Sequence, residues 1–330
     1  MGWPPRTTRL RRSDCSGPGL RRMPHGRGYT YVDASQDRVT DGSTLARIRE
    51  LAIPPAWRDV WICRDERGHL QATGIDGAGR KQYLYHPVWR ELQDQQKFRE
   101  MVDFARVLPR LRRRIVADLQ GDELDRFRVL ACAVRLLDLG LFRIGGEEYA
   151  EQGGGLGLAT LRREHVALRD GRAVFDYPGK SSVRRHHAVA DPPSIVVIRA
   201  LKRRRGGPEE LLAHREGRRW RPVHSDEIND YIKAQIGPEF SSKDFRTWNA
   251  TVLAAAFLAA RADTSRSRTA RNRVMSAVAR EVSEVLGNTP AVARRSSSRS
   301  STASSMRRRR RSPMWSSCPA VTAPVRQAGA

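Results

Sequence analysis

Arginine and lysine are the residue types suited to handling a phosphate group without a metal. The chain holds 55 Arg but only six Lys. A guanidinium never loses its proton in a protein, and its fork matches two phosphate oxygens. An ammonium shifts its pKa when other cations stand near, so it can give a proton away. Breaking a phosphodiester needs a nucleophile at phosphorus, fixed positive charge on the non-bridging oxygens and an acid for the departing oxygen. Arg143 follows a helix stop at Gly140, and Lys180 sits in the turn Pro178-Gly179-Lys180. Arg246 falls in the first turn of a helix expected over Ser241–Arg261. Asn288 follows Gly287, and its amide can donate to an oxygen. Each also has a plainer reading: a surface Arg at a helix end, an exposed turn Lys, a polar-face Arg and a helix-stop residue. Taken alone, spacing does not separate the two.

Other chemistries have little support. There is no HExxH, no Walker A loop and no aspartate-rich motif. Gly153–Gly155 lacks a preceding strand and a following GK[ST], so it reads as a flexible turn. The four cysteines, Cys15, Cys63, Cys132 and Cys318, form no CxxC pair, which argues against zinc or a disulfide framework and fits a reduced cytoplasm. No metal and no cofactor are expected. The net charge is +25 with a pI near 11.2, pointing to a polyanionic partner. Part of that charge is terminal. Residues 294–330 carry nine Arg and no acid, and residues 1–28 carry seven Arg against Asp14. The middle remains basic. An Arg excess this large also reflects codon composition. No run of 18 apolar residues predicts a membrane span, and Met1–Gly28 has no apolar stretch of the secretory kind.

The elements that must position these residues follow from periodicity. Residues 1–28 read as a basic, flexible segment and 29–95 as a small β-rich unit. In that unit Asp59–Cys63 and His69–Ile75 are strand-like around a turn at Arg64–Gly68, and Leu45–Leu51 is a short helix. Helical spacing begins at Lys97, and a second helix is expected over Leu124–Leu139. Three short strands follow at Val166–Leu168, Ala173–Tyr177 and Val183–Val189, with Asp170-Gly171 turning between the first two. Helices return at Ile195–Arg205, from a Ser225 N-cap to Gln235, at Ser241–Arg261 and at Thr269–Leu286, and Thr289-Pro290 starts another. Beyond Ser296 the sequence turns into Ser and Arg runs that cannot bury a core, so 297–330 reads as a disordered tail.

Six segments carry a family resemblance. They are GRKQYLYHP at 79–87, LFRIGGEEYA at 141–150, GLATLRREHV at 157–166, FDYPGKSS at 175–182, KDFRTWNATVLAA at 243–255 and VLGNTPAVARRS at 285–296. In this order they resemble the type IB DNA topoisomerases in their compact bacterial and poxvirus-like form. The resemblance implies an α+β fold, with a small β-rich amino-terminal domain and a helical catalytic domain over 96–296 containing a three-stranded patch. The two would close as a C-shaped clamp on double-stranded DNA. It implies that Arg143 and Arg246 hold the scissile phosphate, that Lys180 protonates the leaving 5′ oxygen and that Asn288 donates to a non-bridging oxygen. Gln82, Tyr83, Tyr85 and Tyr149 match residues that contact DNA, and Arg162 and Arg163 are expected on phosphates. For Tyr83 and Tyr85, strand alternation leaves core packing equally open. The family works without cofactor or metal as a monomer, and a nucleoid-associated, cytoplasmic enzyme is implied.

One feature departs from the family. Its nucleophile is a Tyr nine residues after the Asn, and that position here is Ser297; no Tyr occurs after Tyr231. A serine hydroxyl is shorter in reach and a poor nucleophile without a base. Because the family pattern ends at the same place, a shifted reading frame near Ser296 accounts for the change. Three readings stay open: a topoisomerase with an altered carboxyl end, a DNA-binding pseudoenzyme that does not cut, and a tyrosine recombinase, which uses a similar Arg–Lys–Arg–Tyr set. The QYLYHP segment argues against the last.

Overall fold

The computed structural model describes residues 9–140, 142–151, 155–180, 183–261 and 267–287. Asn288, Ser297, the helix start at Thr289-Pro290 and the Ser/Arg tail lie outside them. The chain divides into two compact units, Met1–Glu100 and Met101–Ala330. The fold is α+β.

The first unit is a five-stranded antiparallel sheet. Its strands are β1 (Leu20–His25), β2 (Gly28–Val32), β3 (Arg58–Ile62), β4 (Leu70–Ile75) and β5 (Lys81–Tyr85), in the order β2-β1-β3-β4-β5. Helix α1 (Gly42–Glu50) begins at Asp41, whose carboxylate accepts from the Thr44 N–H at 2.7 Å. Leu20, Ile48, Leu51, Val60, Ile62 and Ala72 make the core. β1 corrects the expectation of a flexible segment through residue 28. Its Leu20 is buried, and the Arg22 guanidinium donates to the carbonyls of Ile53, Pro54, Pro55 and Trp57. An arginine-rich strand hides its pattern, because a buried Arg satisfied by carbonyls looks in sequence like an exposed one.

Helix α2 (Pro87–Leu119) starts ten residues before the helical spacing became visible at Lys97, with Pro87 at its first position. In the second unit Phe104, Leu108, Leu111 and Ile115 of α2 are buried against α3 (Arg126–Asp138), which is buried along most of its length. Asp138 stays in this core because Arg112 donates to both its oxygens at 2.9 Å. The short helix α4 (Glu147–Glu151) comes next. β6 (Val166–Arg169), β7 (Arg172–Pro178) and β8 (Arg184–Val189) form the three-stranded patch in sequence order. In β7, Ala173, Phe175 and Tyr177 face the core by simple alternation.

Helix α5 (Pro192–Arg203) is capped by Asp191, which also accepts from Arg135. A hairpin of β9 (Ala213–Glu216) and β10 (Arg219–Pro222) follows, which periodicity did not reveal. Helices α6 (Ser225–Ile236), α7 (Ser242–Ala259) and α8 (Arg268–Leu286) complete the described chain. Ser225 is the first residue of α6 rather than its cap, a role that falls to His224. Its N–H and hydroxyl instead donate to Glu147 at 3.0 Å. α7 and α8 pack through Ala250, Ala254, Val278, Ala279 and Val282, and Gly287 ends α8 in the left-handed conformation.

Candidate active site

Arg143 lies just beyond the end of α3. Gly140 there has φ +82°, and an added Cβ would stand 3.0 Å from the Asn249 amide, one turn along α7 from Arg246. Asn249 in turn donates to the Leu137 carbonyl at 3.3 Å. The irregular run after Arg143 presses backbone to backbone on the run after Leu156. Leu158 N–H donates to Arg143 O and Ala159 N–H to Ile144 O, both at 2.8 Å. Gly145 and Gly157 make that approach possible, since a Cβ on Gly157 would fall 2.4 Å from Gly145 Cα.

The same run holds the Lys180 turn. Leu156 N–H donates to Pro178 O at 2.8 Å, and Gly179 N–H to Val183 O at 2.9 Å. Gly155 was read in sequence as part of a flexible turn. It packs so closely that a Cβ would lie 2.2 Å from the Gly179 carbonyl oxygen. Arg246 is fixed by the first turn of α7, where Phe245 is buried edge-on against Phe104 and Asp244 accepts from the Ser241 N–H.

These pieces meet in one pocket lined by Arg143, Tyr177, Lys180, Arg185, Arg246 and Leu286, among others. Three guanidinium groups converge on the carbonyl end of α8. Arg143 donates to Gly287 O at 3.2 Å, Arg185 to the same oxygen at 2.6 Å, and Arg246 to Leu286 O. Burial and the neighbouring Arg143 and Arg185 push the Arg246 pKa down to about 9, still protonated at neutral pH. Burial holds the Tyr177 phenol up at about 12 against the pull of the same arginines. Burial, then Arg185, His186 and Arg246, depress His187 to about 4, so it is neutral. The pocket therefore concentrates positive charge in a partly dry setting, which suits an oxyanion with several oxygens.

The structure thus brings Arg143, Lys180 and Arg246 together. Arg185 joins them and was missed from the sequence. Its only signal was position, five residues past Lys180 on the returning strand. In the first unit, Tyr83 and Tyr85 share the outer face of edge strand β5. Their rings stack at 6.2 Å, Tyr83 is 45% exposed, and Lys81 Nζ lies 5.9 Å from the Tyr83 ring. Tyr83 is therefore a surface residue, not core. Gln82 donates to Asp76 at 2.9 Å. Tyr149 falls on α4, with its side chain outside the described residues. Arg162 pairs with Glu209 at 3.0 Å, and Arg163 donates to the Arg204 carbonyl.

Comparisons with known proteins bear on the family of the chain. Residues 86–313 match the family described as eukaryotic DNA topoisomerase I, catalytic core, and residues 28–76 match the bacterial DNA topoisomerase IB N-terminal domain. The core match runs past Ser296, beyond the point where the sequence pattern was read to stop. The DNA topoisomerase 1B of Acanthamoeba polyphaga mimivirus is 31% identical over 248 residues, covering 74% of this chain and 72% of that protein. The DNA topoisomerase I of monkeypox virus is 22% identical over 261 residues, 78% of this chain and 80% of its own. The DNA topoisomerase 1 of Schizosaccharomyces pombe is 29% identical over 163 residues, 49% of this chain but 19% of that longer protein. The chain belongs to the type IB DNA topoisomerases, a family of DNA-acting isomerases.

Proposed function

We propose that this protein clamps double-stranded DNA and holds one backbone phosphate in the Arg143–Lys180–Arg185–Arg246 pocket. The convergence of three guanidinium groups on carbonyl oxygens is the observation that carries the reading, because phosphate oxygens would accept from the same donors more strongly. In the full reaction a tyrosine oxygen attacks phosphorus, the P–O5′ bond breaks and the 3′ end becomes a phosphotyrosyl ester. Arg143 and Arg246 stabilise the added negative charge. Lys180 passes a proton to the 5′ oxygen, and Asn288 donates to a non-bridging oxygen. The free end swivels, supercoils relax, and the 5′ hydroxyl re-forms the bond. The ester energy is kept, so neither ATP nor a metal is required.

In this chain the nucleophile position is Ser297 and no Tyr follows Tyr231. The polypeptide as written therefore binds without cutting, with its altered carboxyl end arising from a shifted frame near Ser296. The second reading, a non-cleaving pseudoenzyme, rests on the same missing tyrosine. A tyrosine recombinase is disfavoured by the amino-terminal domain match over 28–76. A bacterial origin, a nucleoid-associated cytoplasmic location and action as a monomer belong to this proposal.

The test is plasmid relaxation beside duplex binding. The purified chain is expected to leave a supercoiled plasmid unrelaxed and to form no covalent adduct. It should bind duplex with an affinity that falls steeply with salt. Relaxation with a trapped adduct would overturn the inactive reading, and absent or salt-insensitive binding would overturn the clamp.

A further inference from the structure

Among the described residues that line the Arg143–Lys180–Arg185–Arg246 pocket, Tyr177 carries the single hydroxyl. Tyr177 is the last core-facing residue of β7 and is only 4% exposed. Its position is central. Arg185 is its cross-strand partner on β8, so the two share a face. Lys180 follows it by three residues, through the turn that closes on Val183. Its ring stacks on Phe142, the residue before Arg143, with centroids 6.5 Å apart and planes 11° apart. The His187 ring lies 6.1 Å away and tilted. These contacts leave the ring little freedom to turn.

Packing does not require the hydroxyl. Phe175, two residues earlier on the same face, is fully buried and meets Phe142 edge-on at 4.7 Å. A phenyl ring at 177 would fill the same core. Buried polar groups are nearly always hydrogen-bonded. Among the described residues, however, no hydrogen bond engages the Tyr177 hydroxyl. A hydroxyl that borders a cationic pocket and lacks a partner in the fold suits one that arrives with the ligand.

The electrostatics fit a donor. Burial lifts the phenol pKa to about 12, so the proton stays on at neutral pH. Arg185, Arg246 and Arg143 pull the other way and polarise the O–H bond. A neutral, polarised O–H facing an anion makes a charge-assisted hydrogen bond. Unlike a guanidinium, it adds no charge to a pocket where three arginines already repel one another.

We propose that the Tyr177 hydroxyl donates to a non-bridging oxygen of the bound phosphate, making Tyr177 a further substrate-contacting residue of the pocket. The proposal rests on the reading of that pocket as a phosphate site. Tyr177 forms no bond to phosphorus and transfers no proton. It adds one fixed donor beside the arginines.

The test compares the full chain with Tyr177→Phe and Arg246→Ala. Each is melted, and each is titrated with a mixed-sequence DNA duplex over a range of salt. Tyr177→Phe should melt at or above the parent's Tm, because it removes an unpaired buried hydroxyl and keeps the ring. Its duplex affinity should fall roughly tenfold, the low end for a hydrogen bond to a charged group. That loss should be the same at every salt, because a neutral donor releases no counterion. Arg246→Ala should instead lower the log–log salt slope by roughly 0.9. Affinity equal to the parent's overturns the proposal. So does a slope that falls as in Arg246→Ala, since the hydroxyl would then act by placing an arginine. A lowered Tm overturns it too, since the hydroxyl would then serve the fold. An adduct formed by the parent and lost in Tyr177→Phe would make the hydroxyl the attacking group and refute a donor role. Binding that needs Arg246 but ignores Tyr177→Phe sinks only this contact. A parent that binds no duplex, or an Arg246→Ala protein that binds as the parent does, sinks the phosphate-pocket reading as well.

Discussion

Gly157→Ala tests how Arg143 is positioned. Gly157 has φ −140° and ψ −175°, ordinary extended backbone that alanine adopts without strain. The cost is therefore steric. The new Cβ would stand 2.4 Å from Gly145 Cα and Gly145 N, and 2.9 Å from Ile144 C. All three are backbone atoms and cannot swing aside. Restoring an ordinary contact requires the two runs to part by about 1 Å. That stretches the bonds from Leu158 N–H to Arg143 O and from Ala159 N–H to Ile144 O. Overpacking costs about 1–3 kcal/mol, and two weakened hydrogen bonds add roughly 1 kcal/mol. At about 2–4 °C per kcal/mol for a unit of this size, Tm should fall by roughly 4–16 °C. Duplex affinity should fall as well, because Arg143 moves with its backbone. Gly171→Ala is the control. Its φ is +70°, but nothing lies within 4 Å of the added Cβ. It should cost about 1–2 kcal/mol of backbone strain and leave DNA binding intact. Thermal unfolding and duplex titration of both variants decide the matter. A Gly157→Ala protein that melts within 1 °C of the parent and binds equally, or a Gly171→Ala protein that loses binding, refutes the reasoning.

Arg185→Ala should weaken duplex binding at fixed salt to an extent within a few-fold of Arg246→Ala, since the two guanidinium groups donate to the adjacent carbonyls of Gly287 and Leu286 in one pocket; binding equal to the parent's would remove Arg185 from the pocket's function. His187 is held neutral by burial, with a pKa near 4 against an ordinary 6.5. The unfolded chain therefore binds one more proton between those values. Stability is complete above about pH 6.5 and is lost as pH falls toward 4, by up to roughly 1.4 kcal/mol per pH unit. Denaturant melts of His187→Phe across that window should show a shallower acid slope than the parent, and parallel slopes would contradict the assignment. Removing residues 1–28 deletes β1 from between β2 and β3 and should abolish the cooperative melt of the first unit.

Much of the helical framework was legible because helix signals are local. Gly140 and Gly287 stop their helices with positive φ, and the alternation of Ala173, Phe175 and Tyr177 marked β7 as half-buried. β1 and the β9–β10 hairpin were hidden for one reason. Each is short and rich in arginine, and alternation fails as a signal when a buried position is an Arg held by carbonyls or when both faces carry charge. At Tyr83 and Tyr85 alternation placed both rings on one face of β5 but could not say which face was wet.

The sequence by itself determined the chemical inventory. It supplied Arg143, Lys180 and Arg246 in recognisable segments, an excess of positive charge, and no tyrosine beyond Tyr231. Tertiary structure alone decided that those three residues share one pocket, that Arg185 joins them, and that glycines at 145, 155 and 157 permit the close backbone packing which holds them there. The reason is physical. Capping and amphipathic patterns act over a few residues and leave a trace in the chain. The approach of segments some 40 to 100 residues apart is set by the shapes of packed surfaces, and spacing along the chain does not record it.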